Sequence, residues 1–166
     1  MTPVVHGLLV WALLIGGARP GGQGPEGYQD QREAAPPRVM LTNDRPSGYF
    51  PIDQQTLASA PPILVVRITS VVNPDRTPFQ VFVYLSYQSR AGQSEPERIL
   101  IGNFGFYPPD HPSAFLLRAS TAFRKLKTTS SRPTDVRLLL EMRRIHEAKP
   151  WTPVEVTVAP PEWRDQ

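Results

Sequence analysis

Asp110 and His111 are the one adjacent Asp-His pair in this chain, and they follow a run rich in glycine and aromatic residues. An Asp that orients a His, which in turn activates a nucleophile, is an arrangement that hydrolases use. Adjacency alone does not build it, because we expect neighbouring side chains to diverge in extended or turn backbone. The flanking prolines of Pro-Pro-Asp-His-Pro predict a rigid turn, in which Asp110 bonds its own backbone.

Metal-ligating residues are scarce in this sequence. It contains no cysteine and three histidines, of which His6 lies in an apolar N-terminal segment and His146 is far along the chain from His111. Structural zinc sites take four cysteine or histidine ligands, and the sequence has no His-x-x-x-His or Glu-x-x-His pattern. We therefore expect no metal, no cofactor and a protein that is not an enzyme.

Exposed aromatic side chains are the remaining candidates for a binding site. Trp151 and Trp163 lie near prolines at the end of the chain, and Tyr107 precedes the Asp110-His111 turn. The predicted interaction set is therefore Tyr107, Asp110, His111, Trp151 and Trp163. Five aromatic residues have strand or helix spacing and are predicted to be core, with a carbohydrate or peptide platform as the alternative: Phe104, Phe106, Tyr107, Phe115 and Phe123.

The N-terminal segment predicts export. Residues 7–15 form an apolar run of signal-peptide length, and Gly16-Gly17-Ala18 supplies the small residues that a signal peptidase reads. We expect residues 1–18 to be a signal peptide, residues 19–37 a flexible linker, and the mature protein to be secreted or periplasmic, without membrane association. The net charge of +3 is too small to indicate a nucleic-acid partner.

Apolar alternation and 20 prolines favour β-structure over an all-helical fold. Strands are predicted at 63–72, 79–87, from Arg98 onward, and at 154–158. Glycines inside the Arg98 strand indicate a bulge or the close approach of another backbone. Residues 113–145 fit either helix or strand. We prefer a strand at 114–118, a helix at 121–126 capped by Ser120, and a strand at 135–145 that forms a hairpin with 154–158.

These elements predict a mainly β fold. The preferred architecture is an antiparallel β-sandwich, immunoglobulin-like or jelly-roll-like, with one short helix near 120–126. The sandwich domain is expected at 62–161, before a polar tail at 162–166. It follows an irregular N-terminal extension at 38–61, in which residues 39–41 are a possible short strand.

The order of several segments is distinctive. Pro78 to Leu85 is followed by the glycine-bearing Ile101 to Phe106, by Phe115 to Arg118 with its short helix, and by the strands at 135–142 and 154–158. This order resembles the C-terminal domain of plant and bacterial polyphenol oxidases (tyrosinases) over about residues 62–159. Phe79 and Val81 match the Lys-Phe-Asp-Val strand signature of that family, whereas Pro78 and Gln80 depart from it.

The resemblance implies a β-sandwich that lies over the dicopper site of a separate histidine-rich domain and acts as a shield or folding aid. This chain would then resemble the cover without the copper domain, and no functional residue is carried over. The expected function is an exported, non-enzymatic interaction or accessory module, whose partner is a separate copper oxidase or another exported protein. The alternative is a secreted hydrolase or carbohydrate-binding protein that uses the 104–112 loop.

Overall fold

A computed structural model describes residues 37–89, 95–129, 133–145 and 152–165. The predicted signal peptide, the linker up to residue 36, His146 and Trp151 lie outside these ranges. The described chain contains nine strands and two helices, which are β1 (Val39–Thr42), β2 (Ser47–Pro51), α1 (Gln54–Ser59), β3 (Ile63–Val72), β4 (Phe79–Gln88), β5 (Glu97–Gly105), β6 (Ser113–Arg118), α2 (Ser120–Thr128), β7 (Thr134–Arg144), β8 (Glu155–Val158) and β9 (Glu162–Arg164).

The strands form two antiparallel sheets, which confirms the predicted mainly β sandwich. One sheet has the order β1-β8-β3-β6, with β9 also paired to β3, and the other has the order β2-β7-β4-β5. β9 continues the line of β8 along β3, because β8 pairs with β3 from Ile68 onward and β9 pairs with Ile63 to Val65. The predicted short helix corresponds to α2.

Alternation along the strands builds the core between the sheets. On β4 the odd-numbered side chains from Phe79 to Tyr87 are buried, and on β7 the even-numbered ones from Val136 to Met142 are buried. Successive side chains on a strand point to opposite faces, so each of these strands gives one full face to the core. β4 lies between β7 and β5, so it is a central strand of its sheet.

The predicted bulge in the glycine-bearing strand is confirmed. Val83 pairs with Gly102 and Tyr84 pairs with Leu100, so Ile101 is one extra residue in β5. The extra residue shifts the alternation by one position, as a bulge does. Phe104 is therefore buried, while Leu100 and Asn103 are exposed on the other face.

Two predictions about the ends of the domain are wrong. Residues 38–61 are not an irregular extension, because β1 pairs with β8 and β2 pairs with β7. The possible strand at 39–41 is confirmed as part of β1, whereas β2 is too short for its alternation to be distinctive in the sequence. Residues 162–164 are not part of a polar tail, because they form β9 and its Trp163 packs against the core.

Two predictions about strand pairing and capping are also wrong. β7 and β8 do not form a hairpin, because β7 lies between β2 and β4 while β8 lies between β1 and β3 in the other sheet. Both strands bury one face in the same core, so their alternation does not reveal which sheet each joins. Ser120 is the first residue of α2 and not its cap. The N-cap position is the buried Ala119, whose amide donates to the Pro62 carbonyl at 2.8 Å.

Gly48 allows β1 and β2 to approach each other where the two sheets meet. A Cβ atom on Gly48 would overlap Cγ1 of Val39, whereas a Cβ atom on Gly105 would lie 3.6 Å from the Phe79 carbonyl oxygen, an ordinary contact. Gly48→Ala should lower the free energy of unfolding by roughly 1–2 kcal/mol through overpacking. Gly105→Ala should change it by less than about 0.5 kcal/mol. Urea denaturation measures both variants, and equal midpoints would contradict this close approach.

Candidate functional site

The predicted Asp110-His111 turn lies at one end of the sandwich, in the connection between β5 and β6. The buried Asn73, in the connection between β3 and β4, fixes its position. The Asn73 Nδ2 donates to the carbonyls of Pro109 and Thr77, each at 2.9 Å, and its Oδ1 accepts from the Thr77 amide at 2.9 Å. One buried amide therefore ties the two loops together.

The prediction that adjacent Asp and His side chains diverge is wrong. The Asp110 Oδ1 lies 2.6 Å from Nδ1 of His111, and its Oδ2 accepts from Nε of Arg76 at 2.9 Å. The turn conformation of residues 109 and 110 brings the two side chains to one side. Asp110 therefore bonds two side chains and not the backbone predicted from the turn. The His111 and Arg76 side chains are 64% and 67% exposed, so the pair lies on an open surface.

The pKa of Asp110 lies below its ordinary value of 3.8, because His111 bonds the ionised carboxylate and because Arg76 lies beside it. A lowered folded-state pKa contributes stability at pH values above 3.8, and this contribution is lost as the pH falls through the folded-state value. Asp110→Asn should therefore lower the melting temperature slightly at pH 7 and by less as the pH falls towards 2. Thermal melts of both proteins at the two pH values measure this. An equal difference at both values would contradict the ionic role.

The predicted aromatic contacts divide into exposed and buried residues. Phe104 and Phe106 are buried, as predicted, whereas the core prediction is wrong for Tyr107, which is fully exposed beside the Asp110-His111 turn. Phe115 stacks on Phe104 with the ring centres 4.0 Å apart, so these phenylalanines pack within the protein. The same is true of Phe123, which is 1% exposed. They do not form a platform for a carbohydrate or a peptide.

Trp163 was expected to be an exposed contact, and this prediction is wrong. It is partly buried, and its ring centre lies 5.3 Å from that of Phe123 on α2. The pairing of β9 with β3 turns the indole towards the helix. Of the five predicted interaction residues, the structure brings together Tyr107, Asp110 and His111 and places Trp163 elsewhere.

A second surface, which the sequence analysis did not identify, covers the outer face of the four-stranded sheet. We call it the outer sheet face. The strand register aligns an apolar row across all four strands of the sheet, in the order Tyr49, Leu139, Tyr84 and Leu100. Tyr49 and Leu100, at the two ends of the row, are 57% and 51% exposed, whereas Leu139 between them is 6% exposed.

Three arginines border this apolar row, and each is held by a neighbour. Arg143 lies over the ring of Phe82 at 4.7 Å from its centre, and Arg137 lies over the ring of Tyr49 at 5.1 Å. Such contacts hold a guanidinium flat against an aromatic face. Arg98 reaches across β4 to Glu141, where the nitrogen and oxygen lie 3.2 Å apart.

Two carboxylates organise these arginines. Glu141 bonds both Arg98 and Arg143, at 3.2 and 3.0 Å, and Asp135 bonds Arg137 through both of its oxygens at 2.7 and 2.8 Å. The bonds to Glu141 and to Asp135 raise the pKa of Arg143 and of Arg137, respectively. The outer sheet face therefore presents an apolar centre and a preorganised charged border.

A cleft of about 360 Å³ opens on this face beside the apolar row. Its lining includes Tyr49, Leu139 and Arg98. The signal for this surface in the sequence is weak. The outward positions of β4 carry Phe82 and Tyr84, but the residues that complete the row lie on β2, β5 and β7, and local alternation does not align them.

Comparison with known proteins gives no relative for this chain. No protein-family model, no curated protein and no solved structure matches it. Within residues 37–89, 95–129, 133–145 and 152–165, no helix is long and apolar enough to cross a membrane. In the same ranges, no three His, Cys, Asp or Glu side chains are grouped so that they could hold a metal ion.

Proposed function

We propose that this protein is an exported, non-enzymatic interaction module that binds a partner protein through the outer sheet face. The observation that carries the proposal is the apolar row from Tyr49 to Leu100, which crosses all four strands and is bordered by three arginines. Its composition matches the centres of protein interfaces, where tyrosine and arginine are enriched.

The fixed conformations of the three arginine side chains support binding by this face. A long side chain loses conformational freedom when it becomes fixed in an interface, which costs about 0.5–1.5 kcal/mol for each residue. Arg98, Arg137 and Arg143 are already held by carboxylates or aromatic rings. Binding through these residues therefore loses less entropy than binding through free side chains.

The partner in this proposal is another exported protein. Its more specific form is a separate copper oxidase, which follows from the resemblance to the shielding domain of polyphenol oxidases. The arginine border suits a partner surface that offers carboxylates around an apolar centre. Export itself is tested by N-terminal sequencing of the mature protein, which should begin at Arg19.

Site-specific photo-crosslinking tests the proposed surface directly. A benzophenone amino acid replaces Leu100 on the outer sheet face or, as a matched control, Leu116 on β6, which is 68% exposed on the other sheet. Irradiation of the native exported fraction should give one discrete protein adduct from position 100 and none from position 116. Equal adducts from both positions, or an adduct from position 116 alone, would refute the proposal.

The hydrolase or carbohydrate-binding alternative has one specific observation in its favour, the 2.6 Å contact between Asp110 and His111. The second oxygen of Asp110 is bonded by Arg76, and two of the aromatic residues of the same loop are buried. Hydrolysis of p-nitrophenyl acetate distinguishes the two functions. If the protein is an interaction module, wild type and His111→Ala should hydrolyse the ester at equal rates. If it is a hydrolase, the rate of His111→Ala should be lower by about a hundredfold or more.

A further inference from the structure

A second groove lies where the edge strands of the two sheets approach each other. β1 is an edge strand of the five-stranded sheet and β2 is an edge strand of the four-stranded sheet. The groove between them has a volume of about 320 Å³ and is lined by Arg38, Val39, Met40, Arg45, Ser47, Gly48 and Tyr49.

On its outer side, β1 pairs with no second strand among the described residues. The Thr42 amide donates to the Arg45 carbonyl at 3.0 Å, so this amide points away from β8. Backbone groups two residues apart in an antiparallel strand point to the same side. The amide and carbonyl of Met40 therefore also face away from β8, at the open edge. Unpaired strand edges are templates for an added strand.

The charge of the groove indicates which peptide sequence an added strand would have. Among the described residues, its lining contains two arginines, Arg38 and Arg45, and no carboxylate. Both are exposed, and neither forms an ion pair within the part of the chain that the structure describes. The arginines of the outer sheet face are neutralised in part by Glu141 and Asp135. The groove is thus the more strongly cationic surface.

Apolar groups complete the groove. The Met40 side chain is 54% exposed, and Tyr49 contributes its ring from β2. An extended peptide that adds to a sheet edge bonds through its backbone and places alternate side chains on each face. Arg38 and Met40 are two residues apart and share one face of the strand, so acidic side chains on that face of the peptide would meet Arg38, and a further one would meet Arg45.

We propose that the groove between β1 and β2 binds an acidic, extended peptide segment as an added strand along β1. The inference rests on the proposed function as an interaction module and gives it a second contact, with a partner segment of stated chemistry. Arginine forms strong, charge-assisted bonds with carboxylates, and these bonds supply the selectivity. The hydrogen bonds between the peptide backbone and the backbone of Met40 fix the register of the added strand against β1.

A fluorescein-labelled peptide of three Glu-Val repeats is the probe, and the matching Gln-Val peptide is its control. Fluorescence anisotropy compares wild type with the double variant Arg38→Gln/Arg45→Gln. A second double variant, Arg118→Gln/Arg124→Gln, removes the same charge from exposed positions on β6 and α2. The first variant should bind the acidic peptide about tenfold or more weakly, and the second should bind within about twofold of wild type.

Amide hydrogen exchange tests the added strand. Exchange at Met40 should slow about tenfold or more when the acidic peptide saturates the protein, because its amide gains a bond. Equal losses in both double variants, equal binding of the Gln-Val peptide, or unchanged exchange at Met40 would overturn the inference. The proposed function is judged separately, by the adduct at position 100. Peptide binding can therefore fail while the outer sheet face still captures its partner.

Discussion

Asn73→Asp should lower the free energy of unfolding by about 3 kcal/mol or more at pH 7, the largest loss of stability that we expect from a single polar substitution. The Asn73 side chain is buried, and its Nδ2 donates to two carbonyl oxygens at 2.9 Å. A carboxylate at this position cannot donate, and it places a buried negative charge against both carbonyls.

Urea denaturation of Asn73→Asp measures this loss, with Asn103→Asp as the matched control. Asn103 is exposed on β5, so its replacement should change the free energy of unfolding by less than about 0.5 kcal/mol. The loss at position 73 should shrink at acidic pH, because a protonated carboxyl can donate to one carbonyl. Similar midpoints for the two variants at pH 7 would show that Asn73 does not tie the loops together.

Leu100→Asp should weaken binding of the cross-linked partner by about a hundredfold, the largest functional effect that we expect. Leu100 ends the apolar row, and a carboxylate there would be desolvated in the interface. Leu116→Asp, on the other sheet, should leave the affinity within about twofold, because the β6 face takes no part. Both side chains are more than half exposed, so neither variant should unfold.

Isothermal titration calorimetry of the two variants with the purified partner measures these affinities. Circular dichroism melts of each variant check that the fold is retained. A loss of affinity in Leu116→Asp that equals the loss in Leu100→Asp would assign binding to both sheets. That outcome is incompatible with a single interaction surface on the four-stranded sheet.

The sequence predicted the long strands β3 and β4 well, β3 from its β-branched run and β4 from its alternation over ten residues. β7 alternates over eleven residues, but its sequence also fits a helix, so alternation alone did not decide it. β1, β2 and β9 contain three to five residues. Pairing with distant strands, and not local sequence, makes these short segments strands, which is why the sequence does not predict β2 and β9.

Which sheet a strand joins could not be read from the sequence. β7 and β8 are neighbours in the chain and both alternate, which favoured a hairpin. They lie in different sheets, because either sheet buries the same apolar face in the shared core. Trp163 illustrates the same limit, since its position beside Phe123 depends on the long-range pairing of β9 with β3.

The candidate site was the least predictable part of the molecule. The analysis of single residues singled out Asp110 and His111, and the structure does bring them together, through a turn geometry that adjacency did not reveal. The apolar row of the outer sheet face draws one residue from each of four strands. Only the register of the sheet aligns such residues, and a bulge at Ile101 is needed to place Leu100 in the row.

Methyl NMR of leucine-labelled protein tests the central claim most directly, namely that the outer sheet face binds the partner. Leu100 and Leu139 lie on this face, and Leu116 lies on the opposite sheet. Addition of the cross-linked partner should shift the methyl resonances of Leu100 and Leu139 and leave those of Leu116 unchanged. A shift at Leu116 with unchanged resonances at Leu100 and Leu139 would contradict the claim.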